Sequence, residues 1–273
     1  MGIVDKWLLR NILQEQALYF FQETYFQPLA QAVSPVPSIS IVTTAMDRLS
    51  DIKQTLPRNM EDNKSADFVL LDYNSRDGLS EWIQSNMREQ IESGRLSFYR
   101  TTEPKYYSMA HSRNIAFKLA KGDIINNVDA DNFTTPGFDE KLKELATGCD
   151  RKVIFVKSRQ KKRGRIGIYA DEFIKLGGYN EQLIEYGFDD SDLIYRATRQ
   201  GFRMVIFGGE YYKGVEDHGR HIDGNYQYEW RYTERLNTLV SLLNIAMGKL
   251  EANKGKPWGK AHLLKNFREW IDV

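Results

Sequence analysis

From Ile39 onward the chain alternates short apolar runs with segments of helical period, whereas the first 33 residues follow neither rhythm. Ile39-Ser40-Ile41-Val42-Thr43, Asp67-Phe68-Val69-Leu70-Leu71-Asp72, Leu96-Ser97-Phe98-Tyr99 and Asp123-Ile124-Ile125-Asn126-Asn127-Val128 are short, mostly apolar runs. Such runs between turn-forming residues predict buried strands. Between them, Leu49 to Met60, a stretch through Trp82 and Ile91, and Met109 to Leu119 predict helices. The alternation predicts an α/β fold with a mainly parallel, Rossmann-like sheet flanked by helices.

The second half is less regular. Val153-Ile154-Phe155-Val156 and Phe202-Arg203-Met204-Val205-Ile206 predict strands, Gly164 to Gly178 a short strand with a helix, and Asp189 to Gln200 a helix. Leu236, Leu239, Val240, Leu243, Met247 and Leu250 fall on one stripe, which predicts a late helix packed against the core. Ser34-Pro35-Val36-Pro37 is a breaker. It separates an N-terminal helical arm, residues 1–37, from a continuous domain over residues 38–223. That domain divides into a first part, 38–132, and a second part, 133–223, with C-terminal helices over 224–273. The arm carries Ala17-Leu18-Tyr19-Phe20-Phe21 and Tyr25-Phe26. It reads as a helix docked on the core or on a partner; peripheral membrane contact is the alternative, for which the arm lacks a basic flank.

Composition narrows this picture modestly. A chain of 273 residues permits one large domain or two small ones. A net charge of +1 gives no bulk attraction to nucleic acid, so none is expected as a partner. A single cysteine, Cys149, excludes an intrachain disulfide and reads as a small buried residue. No apolar run approaches the roughly 18 residues of a transmembrane helix, and no signal-peptide core opens the chain. The expected location is cytoplasmic.

Open α/β sheets bind ligands at the carboxyl ends of their strands. Polar clusters fall at such ends: Thr43-Thr44 to Asp47, Asp72 to Asp77, Asp129-Ala130-Asp131, and the region after Phe207. Any one of them alone is an ordinary turn; their succession points to a site. Asp129 and Asp131, one residue apart beyond an apolar strand, supply the hard oxygen ligands that suit Mg²⁺ or Mn²⁺. A divalent cation there would ease departure of a nucleoside diphosphate.

Asp72-Tyr73-Asn74-Ser75-Arg76-Asp77-Gly78, Ser112-Arg113-Asn114, Lys121-Gly122-Asp123 and Asp129-Ala130-Asp131 resemble, in order and spacing, the donor half of GT-A-fold glycosyltransferases of the family-two kind. Gly177-Gly178-Tyr179-Asn180-Glu181 and Gly187-Phe188-Asp189-Asp190-Ser191-Asp192-Leu193 through Arg196 resemble the acceptor half of galactosyltransferase-like enzymes. The resemblance covers roughly Ser38 to His221. It implies a metal-dependent, inverting transfer of a sugar from a nucleotide-sugar donor, UDP by default, to a glycan or other hydroxyl acceptor.

Carried over, it implies that Thr44 and Asp72 hold the nucleoside. Arg113 would reach the base or the diphosphate with its fork of donors. Asp129 would contact ribose or a metal-bound water, and Asp131 would bind the metal. His218, in Glu216-Asp217-His218, is the candidate further ligand, with His221 in reserve; His111 and His262 have weaker claims. Asp190 would be the base and Asp189 would grip sugar hydroxyls. The Asp189–Asp192 cluster also reads as a first-turn helix cap, and different aspartates can serve each purpose. The family usually has glycine where Phe188 stands and glutamate where Asp189 stands, which bears on donor and acceptor identity. Lys161-Lys162-Arg163-Gly164-Arg165 reads either as a solvated loop or as one that closes over the diphosphate.

The rival from another class is a non-catalytic GT-A protein that binds nucleotide or glycan. Retained metal ligands and base argue against it. A nucleotidyltransferase would want a glycine-rich basic loop where Thr43-Thr44-Ala45-Met46-Asp47-Arg48 stands. The glycine patterns of phosphate-binding ATPases and dinucleotide-binding oxidoreductases are absent as well.

Overall fold

The computed structural model describes residues 36–157, 165–215 and 223–273. Four parallel strands form its centre: β1 (Ile39–Ala45), β2 (Asp67–Tyr73), β3 (Leu96–Thr101) and β4 (Ile124–Asn127), in the order β3-β2-β1-β4. Between them run α1 (Leu49–Asp62), α2 (Leu79–Asn86), α3 (Arg88–Glu92) and α4 (Met109–Leu119). β1 and β4 are buried along their whole length. Strands covered on both faces need no strict polar alternation, and the polar residues they carry, Ser40, Thr43 and Thr44 of β1 and Asn126 and Asn127 of β4, are buried as well. Ile52, Leu56, Phe68, Leu70, Phe98, Phe138 and Phe155 belong to one core cluster, each contributing about 1.5–3 kcal/mol by burial.

Successive strands step outward from β1 to β2 and β3, and the chain then returns to place β4 on the other side of β1. Loops leaving β1 and β4 diverge there and open a crevice at the carboxyl ends of the strands.

The chain continues through β5 (Asn132–Phe133), α5 (Phe138–Ala146), β6 (Val153–Val156), β7 (Ile166–Tyr169), α6 (Ala170–Lys175), α7 (Asp189–Arg199), β8 (Arg203–Ile206) and β9 (Lys213–Gly214). It closes with α8 (Trp230–Ala246), β10 (His262–Lys265) and β11 (Glu269–Asp272). The full sheet has the order β11-β10-β3-β2-β1-β4-β7-β6-β8, in which β7 and β10 run against the other seven strands. β5 and β9 form a separate two-stranded ladder beside the crevice. Cys149 is buried, its thiol donating to Leu145 O at 3.0 Å.

Two features of the C-terminal region differ from expectation. Residues 224–273 are not all helical: β10 and β11 form a hairpin that extends the sheet at the β3 edge, pairing Leu264 with Arg100. Phe267 in its turn stacks on Phe98 with ring centroids 4.7 Å apart.

The second difference is α8, which turns its polar side inward. Thr233, Asn237, Ser241 and Asn244 are its buried residues, while Leu239, Leu243 and Met247 are exposed. The reason lies in the loop beneath. Carbonyls of Ile184, Tyr186 and Gly187 accept from Asn237 Nδ2 at 2.8, 3.1 and 2.9 Å. Buried carbonyls without partners cost more than an exposed leucine does. Among the described residues no helix is long and apolar enough to cross a membrane.

Candidate active site

The donor side is built on strand ends. Thr43 Oγ1 donates to Val128 O at 2.8 Å and ties the end of β1 to the segment after β4. Thr44 Oγ1 pairs with Tyr107 Oη at 2.5 Å. Asp72 closes β2 with no exposure; Oδ1 accepts the Ser75 amide at 2.8 Å and Oδ2 is 3.5 Å from Arg100. Burial pushes its carboxyl up to about 6, against the pull of the Ser75 hydrogen bonds and Arg100.

Asp129 and Asp131 follow β4 in a turn closed by Asn132 N donating to Asp129 O at 3.0 Å. Asn127 Nδ2 donates to Asp129 Oδ1 at 3.0 Å, and Asn132 Nδ2 to Asp131 Oδ1 at 2.7 Å. Burial raises the Asp131 carboxyl and the charge of Asp129 adds to it, while Arg48 opposes. Asn132 Oδ1 beside them is buried without a hydrogen-bond partner. Val215, next to β9, donates its amide to Asp131 O at 2.9 Å.

The acceptor side depends on two unusual turns and a set of buried polar side chains. Gly177 and Gly178 both have positive φ, +73° and +69°, and a Cβ on Gly177 would lie 1.9 Å from Ala252 O. No other residue fits there. Phe188 precedes α7 at φ +68°, a left-handed conformation uncommon for a bulky side chain. Its ring packs against Tyr195 at 6.0 Å. Asp192 accepts from Arg196 Nε and Ser241 Oγ, both at 2.7 Å, and Arg196 donates to the carbonyls of Leu176 and Gly178. Asp192 thus belongs to the frame of the acidic cluster, leaving Asp189 and Asp190 at the crevice.

Arg113 joins the two sides. Its side chain is 1% exposed. Nη1 donates to Asp189 and, at 2.9 Å, to Asp190, while Nη2 donates to Asp129 at 2.9 Å. Burial works against the guanidinium charge, but the three carboxylates outweigh it and raise its proton affinity well above the ordinary value. Burial pushes the Asp190 carboxyl up to about 7; Arg113 opposes this, and Asp189 and Asp129 add to it. The Tyr179 ring centroid lies 5.7 Å from the guanidinium carbon, and its buried hydroxyl has no hydrogen-bond partner. With both terminal nitrogens engaged, Arg113 is turned toward the acids rather than toward a base or diphosphate.

Other expected positions separate from this group. His218, His221 and residues 161–164 lie outside the described residues. Arg165, the last of the basic run, is buried: it donates to Tyr211 O and, at 2.9 Å, to Phe133 O, and burial lowers its affinity for the proton to about 10. It braces the β5–β9 ladder. His111 contacts Tyr73 Oη at 2.6 Å and Lys260 O at 3.0 Å, and His262 pairs with Asp272 at 2.8 Å, so neither joins the acids.

Sequence reasoning missed Tyr107 and Asn225. Tyr107 N donates to Asn225 O at 2.8 Å, and Asn225 Nδ2 donates to Met46 O at 2.8 Å, fastening the returning chain over the end of β1. The only signal was a tyrosine pair, Tyr106-Tyr107, in the loop before Ser108, which caps α4 by accepting the His111 amide.

A parallel block with a switch-point crevice and carboxylates at its rim defines an α/β protein of GT-A architecture. Residues 40–207 match the family model described as Glycosyl transferase family 2, and the chain belongs to that family of glycosyltransferases. Among solved structures it is similar to the mannosyltransferase PcManGT from Pyrobaculum calidifontis in complex with GDP-Man and Mn²⁺. The TM-score is 0.61 and the identity 18%, over 87% of this chain and 71% of that one. GalNAc-T7 with UDP, GalNAc and Mn²⁺ aligns with a TM-score of 0.54 and 15% identity, over 63% of this chain and 42% of that chain. S. aureus TarS 1-349 in complex with UDP-GlcNAc aligns at 0.56 and 13% identity, over 76% and 67%. At these identities the likeness is one of fold. No curated protein sequence matches the chain.

Proposed function

We propose that the protein transfers a sugar from a nucleoside-diphosphate sugar, with UDP-sugars the first candidates, to a hydroxyl of a glycan or another acceptor. Transfer is assisted by Mn²⁺ or Mg²⁺ and inverts the anomeric carbon. The observation that carries this reading is the triple grip of Arg113, which brings Asp129 of the donor side against Asp189 and Asp190 of the acceptor side.

The residues at the β4 turn fit a divalent cation. Asp129 and Asp131 are hard donors, Asp131 is raised by burial and by its neighbour's charge, and an orphaned amide oxygen of Asn132 lies beside them. Asp129 and Asp131 would hold such a cation, which would supply positive charge to stabilise the departing diphosphate. Among the described residues there is no cluster of three or more His, Cys, Asp or Glu able to hold a metal ion. His218, outside the described residues, would be the further protein ligand. Mn²⁺ in two of the similar complexes agrees with this choice of metal.

Thr44 and Asp72 face the nucleoside, with Tyr107 beside Thr44. Asp189 orients sugar hydroxyls. Asp190 takes the proton of the acceptor hydroxyl as its oxygen bonds to the anomeric carbon. The bond from that carbon to the diphosphate breaks, and the leaving nucleoside diphosphate keeps the electron pair. A carboxylate raised to about 7 is a stronger base than an ordinary aspartate and remains ionised above that pH. Arg113 is a positioning residue, holding the base toward the donor.

The test is nucleoside diphosphate release from a panel of UDP-, GDP-, CDP- and dTDP-sugars offered with glycan acceptors. The expected result is turnover of one nucleoside class, abolished by EDTA and restored by Mn²⁺. Tight binding of a nucleotide with no release from any donor would instead make the protein a non-catalytic binder.

A further inference from the structure

We propose that the outward face of α8 seats the protein on an anionic lipid surface. Tyr232, Leu239, Leu243 and Met247 are 55%, 52%, 61% and 59% exposed, and with Ala246 they form a continuous stripe along a helix about 25 Å long. Scattered exposed leucines are ordinary; a continuous apolar stripe marks a contact surface.

The stripe cannot be buried by rolling the helix. Its opposite side is fastened by Asn237 to three loop carbonyls and to the Ile184 amide, by Thr233 to Tyr186 O, and by Ser241 to Asp192. Asn244 adds a bond to Gln182. The apolar side faces outward because the polar side is committed.

Charge identifies the occupant. No Asp, Glu, Lys or Arg occurs between Leu236 and Gly248. Arg231 and Arg235 lie on one flank, roughly 65–105° from the centre of the stripe at 100° per residue, and Lys249 follows the end of the helix. Over 228–260 the six cations Arg231, Arg235, Lys249, Lys254, Lys256 and Lys260 outnumber the three carboxylates Glu229, Glu234 and Glu251, of which Glu229 pairs with Arg231 and Glu251 with Lys254. An uncharged apolar stripe with cations along one flank is the pattern of a helix lying in a membrane interface. Its leucines enter the acyl boundary and its cations meet anionic headgroups. A second copy fits worse, because antiparallel pairing about Val240 would set Arg231 and Lys249 of the two copies against each other.

The experiment is co-sedimentation of the full chain with vesicles of phosphatidylcholine alone or with 30% phosphatidylglycerol. Wild type is expected to sediment with the anionic vesicles and to be released by high salt. Leu239→Glu/Leu243→Glu should weaken binding by about tenfold or more. Arg235→Glu/Lys249→Glu should remove most of the preference for anionic lipid, again about tenfold. Neither pair touches the acids at the crevice, so both variants should keep wild-type melting temperatures. The second variant decides the matter if the first does not fold. Three results would overturn the proposal. One is no sedimentation of wild type. Another is binding that survives both double substitutions, which would assign lipid contact to residues 1–35. The third is a concentration-dependent dimer lost in the Leu239→Glu/Leu243→Glu variant with lipid binding unchanged.

Discussion

The two sides of the crevice are made differently. On the donor side, Thr44 and Asp72 belong to β1 and β2, and Asp129 and Asp131 follow β4 directly; the parallel block sets their places. On the acceptor side, Asp189 and Asp190 open a helix held by side chains: Asn237 bonds the loop before it, Ser241 and Arg196 bond Asp192 in its first turn, and the buried end of Arg113 bonds Asp189. Many backbone bonds share the load on one side and a few side chains carry it on the other. Single substitutions should therefore damage acceptor-side geometry far more than donor-side geometry.

The largest expected effect is on chemistry. Asp190→Asn keeps the side-chain shape and one acceptor oxygen for Arg113, but cannot take a proton. Transfer should fall ~10²–10⁴-fold, as loss of a positioned base does, while nucleotide binding stays nearly intact. In the wild type, kcat/KM should rise with pH and level off above about 7, because Asp190 must be deprotonated to act. The variant should lack that limb. Normal transfer by Asp190→Asn would remove the residue from the mechanism.

Arg113→Met removes the one cation bound by Asp189, Asp190 and Asp129 together. Leaving the buried Asp189 carboxylate uncompensated costs about 3–5 kcal/mol, readable as a lower midpoint in urea. Next in size is Asn237→Leu, which strips the donors from Ile184, Tyr186 and Gly187 carbonyls and should cost roughly 2–3 kcal/mol. Its control on the same helix, Leu243→Ala, removes an exposed side chain and should stay within about 0.5 kcal/mol. An Asn237→Leu variant as stable as its control would contradict the contrast between the sides.

The smallest effect concerns Asp72 on the robust side. Burial holds its carboxyl near 6 against an ordinary 3.8, so between those values the folded state binds more protons than the unfolded one. Stability then falls as pH rises through that window and flattens above it. Asp72→Asn should abolish that slope, measured as melting temperature from pH 4 to pH 7.

The same contrast governs what was legible in the sequence. β1, β2, β3 and β4 are legible because each carries a short, mostly apolar core run, and the acids at or just beyond the ends of β2 and β4 stand out against it. α8 misleads because helical periodicity locates an apolar stripe without telling which way it faces. Here Asn237 and Ser241 claim the inside. The β10–β11 hairpin is too short and too polar at an edge to carry a pattern, and β5 and β9 have two residues each. Arg113 is visible as a residue, yet its orientation depends on three acids that converge only in the fold. Tyr107 and Asn225 meet across more than a hundred residues, and no local spacing predicts that.

The central claim is that the carboxylates after β4 hold a cation against the diphosphate of an activated sugar. A melting-temperature panel of UDP, GDP, CDP and dTDP, each with and without Mn²⁺, on wild type and Asp131→Asn, tests it most directly. Selective stabilisation by one nucleoside diphosphate, requiring Mn²⁺ and lost in Asp131→Asn, is the predicted result. Equal responses to all four nucleotides, indifferent to the metal and to the substitution, would contradict it.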